Sequence, residues 1–316
     1  MNFAVVVIPA AYVLDLLVGD PQWSAHPVRF IGRLIVKLEK KLNSGSANRR
    51  KLTGAILVFL VVLSVVLTVW GILKLTALVH PILFYAVSTV LVYFSFSVRA
   101  LAIEADKIQK NLEKGDIRQA RDNLALIVGR DTKELDAPEI IRATVETVAE
   151  SAMDSIIAPL FYAFLGGPIL AWAYKAVNTL DSMVGHKTER FREFGWASAK
   201  LDGLLNFIPA KITAFLICIS MFFCGENGRN SFKWTLRYLF RGPGVNSEAA
   251  EAAMAGGLGV QLGGTNFYNS VAVQKPFIAD ALEPLSVRHI RESARVMYIA
   301  SVLLVFAGWV IIKNIL

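Results

Sequence analysis

Charge is scarce in this chain: Asp, Glu, Lys and Arg make up 18% of its 316 residues, against 55% hydrophobic residues. Soluble globular domains carry about 25% charged residues and disordered chains are richer still, so the composition excludes both classes. Mean hydropathy, +0.51, agrees. Cysteine is limited to Cys218 and Cys224, both in or beside one apolar run, which excludes a disulfide scaffold and a cysteine zinc site. The four histidines lie far apart, and HExxH, GxSxG and CxxC are all missing. Zinc, haem and serine-hydrolase chemistry therefore lack their residues. There is no P-loop either, since 185–188 (GHKT) supplies only its tail. Gly257, Gly259 and Gly263 are spaced one residue too widely for a dinucleotide fingerprint. The net charge of +8 does not point to nucleic acid, because no basic run is interleaved with aromatics. It fits instead the bias of membrane proteins toward basic cytoplasmic loops.

Long apolar runs are what the chain has in quantity. Residues 52–73 hold no charge and are bracketed by Lys51 and Lys74; at 1.5 Å per residue they reach about 33 Å, enough for a hydrocarbon core. A second run, 75–98, contains Pro81, which marks a helix start and places the span at 81–98. A third, 296–312, carries Trp309 as an interfacial anchor, and 2–18 is apolar apart from Asp15. That first run lacks a basic leader and a small-residue cleavage site, so it is expected to be retained. Two runs are irregular. Residues 155–174 are split by Gly166-Gly167-Pro168, the pattern of two half-helices and a candidate re-entrant segment. Residues 204–224 contain Pro209 and Lys211 and are read as a broken helix or a kinked span.

Basic residues dominate the segment 20–51, eight against two acids, which marks it as cytoplasmic. Residues 99–154 hold twelve acids and nine bases at helical spacing, with a turn at Lys114-Gly115-Asp116. The expectation is one integrated, all-α, multi-pass membrane domain over 1–316, with four to six spanning or re-entrant helices and amphipathic cytoplasmic helices.

The densest polar constellation is Arg142, Glu146, Glu150 and Asp154, successive i,i+4 positions that form one helical stripe running into an apolar segment. Carboxylates at a membrane mouth need a partner, and Mg²⁺, which takes oxygen ligands shared with phosphates, is the natural one for Glu150 and Asp154. Downstream, Lys175, Asn178, Asp181 and Ser182 share a helix face after twenty uncharged residues. The 129–132 turn (GRDT) offers Asp131 or Thr132 as N-cap and Arg130 as a fork for phosphate or carboxylate. His26, Arg29 and Arg33 crowd the first basic loop. Asn246, Glu248 and Glu251 precede a small-residue stretch, 252–264, where backbones can approach closely.

These blocks together resemble a known family. DLLVGDP at 15–21, HPVRFIGR at 26–33, GRDT at 129–132, APLFY at 158–162, YKAVNTLDSMVG at 174–185, NFIPA at 206–210 and EAAMAG at 251–256 are similar to the membrane-bound adenosylcobinamide-phosphate synthases of cobalamin biosynthesis. The resemblance covers nearly the whole chain. It implies an ATP- and Mg²⁺-dependent amide ligase joining adenosylcobyric acid to (R)-1-aminopropan-2-ol or its O-phosphate. In that reading Lys175, Asp181 and Glu150 are catalytic and Glu150 and Asp154 hold metal. His26, Arg29, Arg130, Asn178, Asn246 and Glu251 bind substrate. The site is expected on the cytoplasmic side of the cell membrane, with other corrinoid-pathway enzymes and a second copy of the chain as candidate partners. The chain departs from the family pattern at Ser151, Ser155, Gly203, His186 and residues 248–250. Two other readings stand beside the ligase: a transporter, for which broken helices and intramembrane charge also speak, and a non-catalytic scaffold.

Overall fold

The computed structural model describes residues 3–21, 26–186, 188–239 and 246–315. It is helical almost throughout. Among the described residues five helical stretches are long and apolar enough to cross a membrane: Ala47–Val79, Pro81–Glu113, Ala137–Val184, Phe207–Cys224 and Arg288–Asn314. The protein is an all-α membrane protein in its framework, with one β-hairpin that the sequence patterning did not lead us to expect. Contacts divide the chain into two compact, interleaved units, one of residues 1–97, 158–207 and 305–316, the other of 98–157 and 208–304.

The first unit opens with α1 (Phe3–Val18), α2 (Pro27–Leu42), α3 (Ala47–Val79) and α4 (Pro81–Tyr93). Local chemistry sets these boundaries. Pro27 and Pro81 occupy first-turn positions, where a missing N–H costs nothing, and the imidazoles of His26 and His80 accept from Val28 N and Ile82 N. In α3 the residues Leu57, Val61, Val65, Val69 and Leu73 recur every fourth position and are buried. They pack with Ile31 and Ile35 of α2 and with Trp172, Ala176, Leu180 and Val184. The opposite face of α3, with Leu52, Phe59, Leu67 and Trp70, is exposed. A helix apolar all round is one that meets protein on one side and lipid on the other.

The four core residues from Trp172 to Val184 belong to α8 (Ala158–Val184), which breaks at its centre: Gly166 has φ −156° and ψ 29°, Gly167 φ +63° and ψ −154°. The half-helices expected from Gly166-Gly167-Pro168 are present. Gly167 sits where a side chain would be strained, and Pro168 then opens the second half. The unit also holds α9 (Trp196–Leu205).

The second unit contains α5 (Val98–Glu113), α6 (Ile117–Leu124), α7 (Ala137–Ser151) and a π-helical turn, Ala152–Ile157. It continues through α10 (Phe207–Cys224), α11 (Gly228–Tyr238), α12 (Ser247–Leu258), the antiparallel strands β1 (Leu262–Tyr268) and β2 (Val271–Ile278), and most of α13 (Arg288–Ile315). The turn at Lys114-Gly115-Asp116 is as expected, with Asp116 capping α6. Three expectations are corrected. The run 204–224 is broken near its start, at Asn206, the C-cap of α9, and not at Pro209, which falls in the first turn of α10. Helix α7 is capped neither by Asp131 nor by Thr132 but by a capping box between Asp136 and Glu139. The i,i+4 stripe from Arg142 does not extend to Asp154 in α-helical register, since the π turn widens the repeat to i,i+5 there.

Candidate functional site

Glu146 is the hub of the second unit's polar interior. It is 3% exposed and takes both Arg130 and Arg142 as partners. The i,i+4 pair with Arg142, 3.1 Å, was legible from spacing alone. The hairpin completes the network. Gly263 N donates to Glu146 Oε1 at 2.8 Å, Arg142 Nη2 donates to Thr265 O at 3.1 Å, and Asn266 Oδ1 accepts from Arg130 Nη1 at 2.6 Å and from Arg142 Nη1 at 3.2 Å. Asp131, unused as a cap, accepts from Ser270 N at 2.7 Å, while its own N–H donates to Phe267 O at 2.8 Å. The guanidinium of Arg130 is thus engaged by Glu146 and Asn266. Its visible work is to fasten the hairpin to α7.

One turn beyond Glu146 on the same helix, Glu150 reaches the exposed surface, and Asp154, half-buried, follows in the π turn. Helix α12 brings up Glu251, 3% exposed. Small residues let α12 pack closely on α11: Ser231 Oγ donates to Ala253 O at 2.7 Å and Asn230 Nδ2 to Gly256 O at 2.6 Å. Burial, and then the charge of Glu150, push the Glu251 carboxyl up to about 8 against the pull of Lys275. Lys275 was not among the residues nominated from sequence. Strand register puts it there: Gly264 faces Lys275 and Asn266 faces Val273, so Asn266 and Lys275 share the face of the hairpin that meets the Glu146 network. Burial works against the Lys275 ammonium, but Glu251 and Glu150 outweigh it and hold its pKa above the ordinary value. Asn246 stands at the N-cap of α12, where its side chain makes no capping bond.

In the first unit the nominated residues lie on α8 and at the start of α2. Lys175, Asn178 and Asp181 are half-buried and Ser182 exposed, on the face opposite Ala176, Leu180 and Val184, as the spacing required. A side chain at Gly185 would be costly, since a Cβ there would stand 2.7 Å from the backbone Asp181 O as well as against its carboxylate. His26 lies with Nε2 3.0 Å from Asp20 Oδ1 and Nδ1 on Val28 N, whereas Arg29 is exposed. Of the ten residues nominated from sequence, His26, Arg29, Lys175, Asn178 and Asp181 fall in the first unit and Arg130, Glu150, Asp154, Asn246 and Glu251 in the second.

Cations and carboxylates held at the ends of membrane helices, with a lysine drawn in among glutamates, define a helical membrane protein equipped for polar chemistry. The chain belongs to the CobD/CbiB family: the family model described as "CobD/Cbib protein" matches residues 8–297. It is 45% identical over 306 residues to the cobalamin biosynthesis protein CobD of Geobacter metallireducens, covering 96% of each chain. It is 44% identical to the protein of the same name from Clostridium perfringens, over 92% of this chain and 93% of that one. With the cobalamin biosynthesis protein CbiB of Salmonella typhimurium the identity is 42%, over 93% and 92%. No solved structure matches the chain.

Proposed function

We propose that the protein acts in cobalamin biosynthesis as an ATP-dependent ligase in the cell membrane, with its site on the cytoplasmic side. It would join a propionate carboxylate of adenosylcobyric acid to (R)-1-aminopropan-2-ol or its O-phosphate. The observation that carries the reading is the Glu150–Glu251–Lys275 cluster, where a half-buried lysine feels the charge of a buried and an exposed carboxylate. Amide formation of this kind needs three things: cations for the phosphates, a carboxylate activated by phosphoryl transfer, and an acceptor for the amine's proton. In the proposed scheme ATP phosphorylates the substrate carboxylate and releases ADP. The amine nitrogen then attacks the acyl carbon, phosphate leaves, and the nitrogen's proton passes to a carboxylate, for which Asp181 is the candidate. Lys175 and Lys275 supply positive charge. Arg130, already engaged, keeps the hairpin in place, and His26, Arg29, Asn178 and Asn246 orient substrate.

Glu150 and Asp154 would hold Mg²⁺, which supplies charge neutralisation on the nucleotide phosphates when bound. Among the described residues no group of three or more His, Cys, Asp or Glu is arranged to cage a metal ion. Mg²⁺ is usually held by one or two carboxylates plus phosphate and water. Product mass spectrometry from adenosylcobyric acid, ATP, Mg²⁺ and a panel of amino alcohols and their phosphates tests the reaction. ATP consumption must depend on both corrinoid and amine. Asp154→Asn should lose Mg²⁺-dependent nucleotide binding, and a normal affinity with unchanged Mg²⁺ dependence would refute the metal assignment.

A further inference from the structure

The segment 20–51 carries eight basic residues and two acids, and the structure uses up both acids internally. Asp20 lies against His26 at 3.0 Å. Glu39, its side chain 7% exposed, is clasped by Arg190 through Nε at 3.1 Å and Nη2 at 2.8 Å, and accepts from Asn43 Nδ2 at 2.8 Å. Burial alone would raise the Glu39 carboxyl, but Arg190 and Asn43, helped by Lys40, hold it below its ordinary value. What remains on the surface of α2 and the first turn of α3 is positive. Among the described residues no hydrogen bond or ion pair engages the ammonium of Lys40.

A cavity of about 640 Å³ opens at this place, lined by Glu39, Lys40, Asn43, Arg50, Glu189 and Arg190 among others. Arg50 is fixed in its wall, donating from Nε to Asn43 Oδ1 at 3.0 Å and from Nη2 to Glu189 O at 3.1 Å. Those acceptors are neutral, and among the described residues no ion pair engages the Arg50 guanidinium. The apolar run of α3 begins two residues later at Leu52, 64% exposed. Beside it, Lys51 Nζ sits 4.1 Å from the centre of the Trp196 ring, and Arg33 Cζ 4.2 Å from that of Phe30. Aromatic rings topped by cations mark headgroup level at a membrane boundary. Helix α2 fits that level: Ile31 and Ile35 face the core, Phe30 and Val36 are exposed beside Arg29, Arg33, Lys37 and Lys40.

We infer that this cavity binds the phosphate of an anionic phospholipid headgroup, with α2 lying along the charged leaflet. Lys40, Arg50 and the outer edge of Arg190 meet the phosphate, and the acyl chains continue down the exposed face of α3. Glu189 at the rim opposes it.

The test uses the full chain in a neutral detergent, titrated separately with phosphatidylglycerol, phosphatidylcholine and inorganic phosphate, reading thermal stability and lipid retained in native mass spectrometry. Phosphatidylglycerol alone should stabilise and be retained. Lys40→Glu, a change of two charge units, should weaken its apparent affinity about twenty-five-fold, at about a factor of five per charge, and Glu189→Gln should strengthen it severalfold. Lys74→Glu, at the far end of α3, should leave it unchanged. Equal response to both lipids, displacement by millimolar inorganic phosphate, or an equal loss in the Lys74 and Lys40 variants would overturn the site. Lys40 is exposed, and Lys40→Gln, about fivefold weaker, serves as the milder variant.

Discussion

Glu146 and Glu150 stand one helical turn apart on α7, yet their surroundings differ in kind. Glu146 has two guanidiniums and a backbone N–H for its two oxygens and is sealed from solvent. Glu150 is exposed, and the cation near it, Lys275, is shared with a second carboxylate, Glu251. A carboxylate with more than enough positive charge is part of the frame. A buried carboxyl raised well above its ordinary value beside an exposed carboxylate and a lysine is the combination in which chemistry belongs. The acidic stripe that looks uniform in sequence is therefore two regions, one closed and one open.

The sharpest way to break this comparison is to remove the charge at each end. Glu146→Gln leaves the buried Arg130 and Arg142, 8% and 11% exposed, facing a neutral amide. Breaking such a pair costs about 3–5 kcal/mol, so the variant should unfold far earlier than the parent in detergent melts. Glu150→Gln should change stability by no more than about 0.5 kcal/mol, as exposed substitutions do, while ligation is lost. Equal stability losses would merge the two regions into one.

The open end also predicts a pH dependence. Glu251 has an ordinary value of 4.5 and a folded value of about 8. Below pH 4.5 both folded and unfolded chains hold the proton. Between 4.5 and 8 the unfolded chain releases it and the native one keeps it, so stability falls as pH rises through that window and levels off above 8. The slope is at most about 1.4 kcal/mol per pH unit. Lys275, raised above 10.5, loses its contribution only at higher pH. Melting temperature followed from pH 5 to 9 should decline in the parent and flatten in Glu251→Gln; parallel curves would remove Glu251 as the titrating group.

Much of the frame was legible because its signals are long. Uncharged runs, prolines at first turns and the Gly166-Gly167-Pro168 break each act through local physics. So does the capping box at Asp136 and Glu139, which was written in the sequence as DAPE at 136–139 and overlooked in favour of Asp131. The open site was harder to see. Glu150 and Glu251 are a hundred residues apart in sequence, and only the packing of α12 on α7 couples them. Lys275 depends on strand register, for which the signal was slight: alternation in VAVQ at 271–274 after a two-residue Asn269-Ser270 turn. The π turn at Ala152–Ile157 has no sequence signature at all, since a widened hydrogen-bond repeat is a compromise between neighbours rather than a residue preference.

Register also decides whether Lys275 reaches the carboxylates, and Asp131 controls it from the hairpin's tip. Asn269 and Ser270 have φ of +49° and +64°, the conformation of a tight turn whose second N–H points outward. Asp131 Oδ2 receives that N–H at 2.7 Å, and Asp131 N donates to Phe267 O at 2.8 Å. An exposed, charge-assisted bond of this kind contributes about 1 kcal/mol. Asp131→Ala should therefore leave the global melting temperature almost unchanged, because the Glu146 network still holds the hairpin's base. Amide exchange at Ser270 and along β2 should accelerate about fivefold, the ratio equivalent to 1 kcal/mol. Asp131→Asn keeps an acceptor and should recover most of the protection. If exchange in the alanine variant matches the parent, the closed network alone sets the register, and the tip contributes nothing to the placement of Lys275.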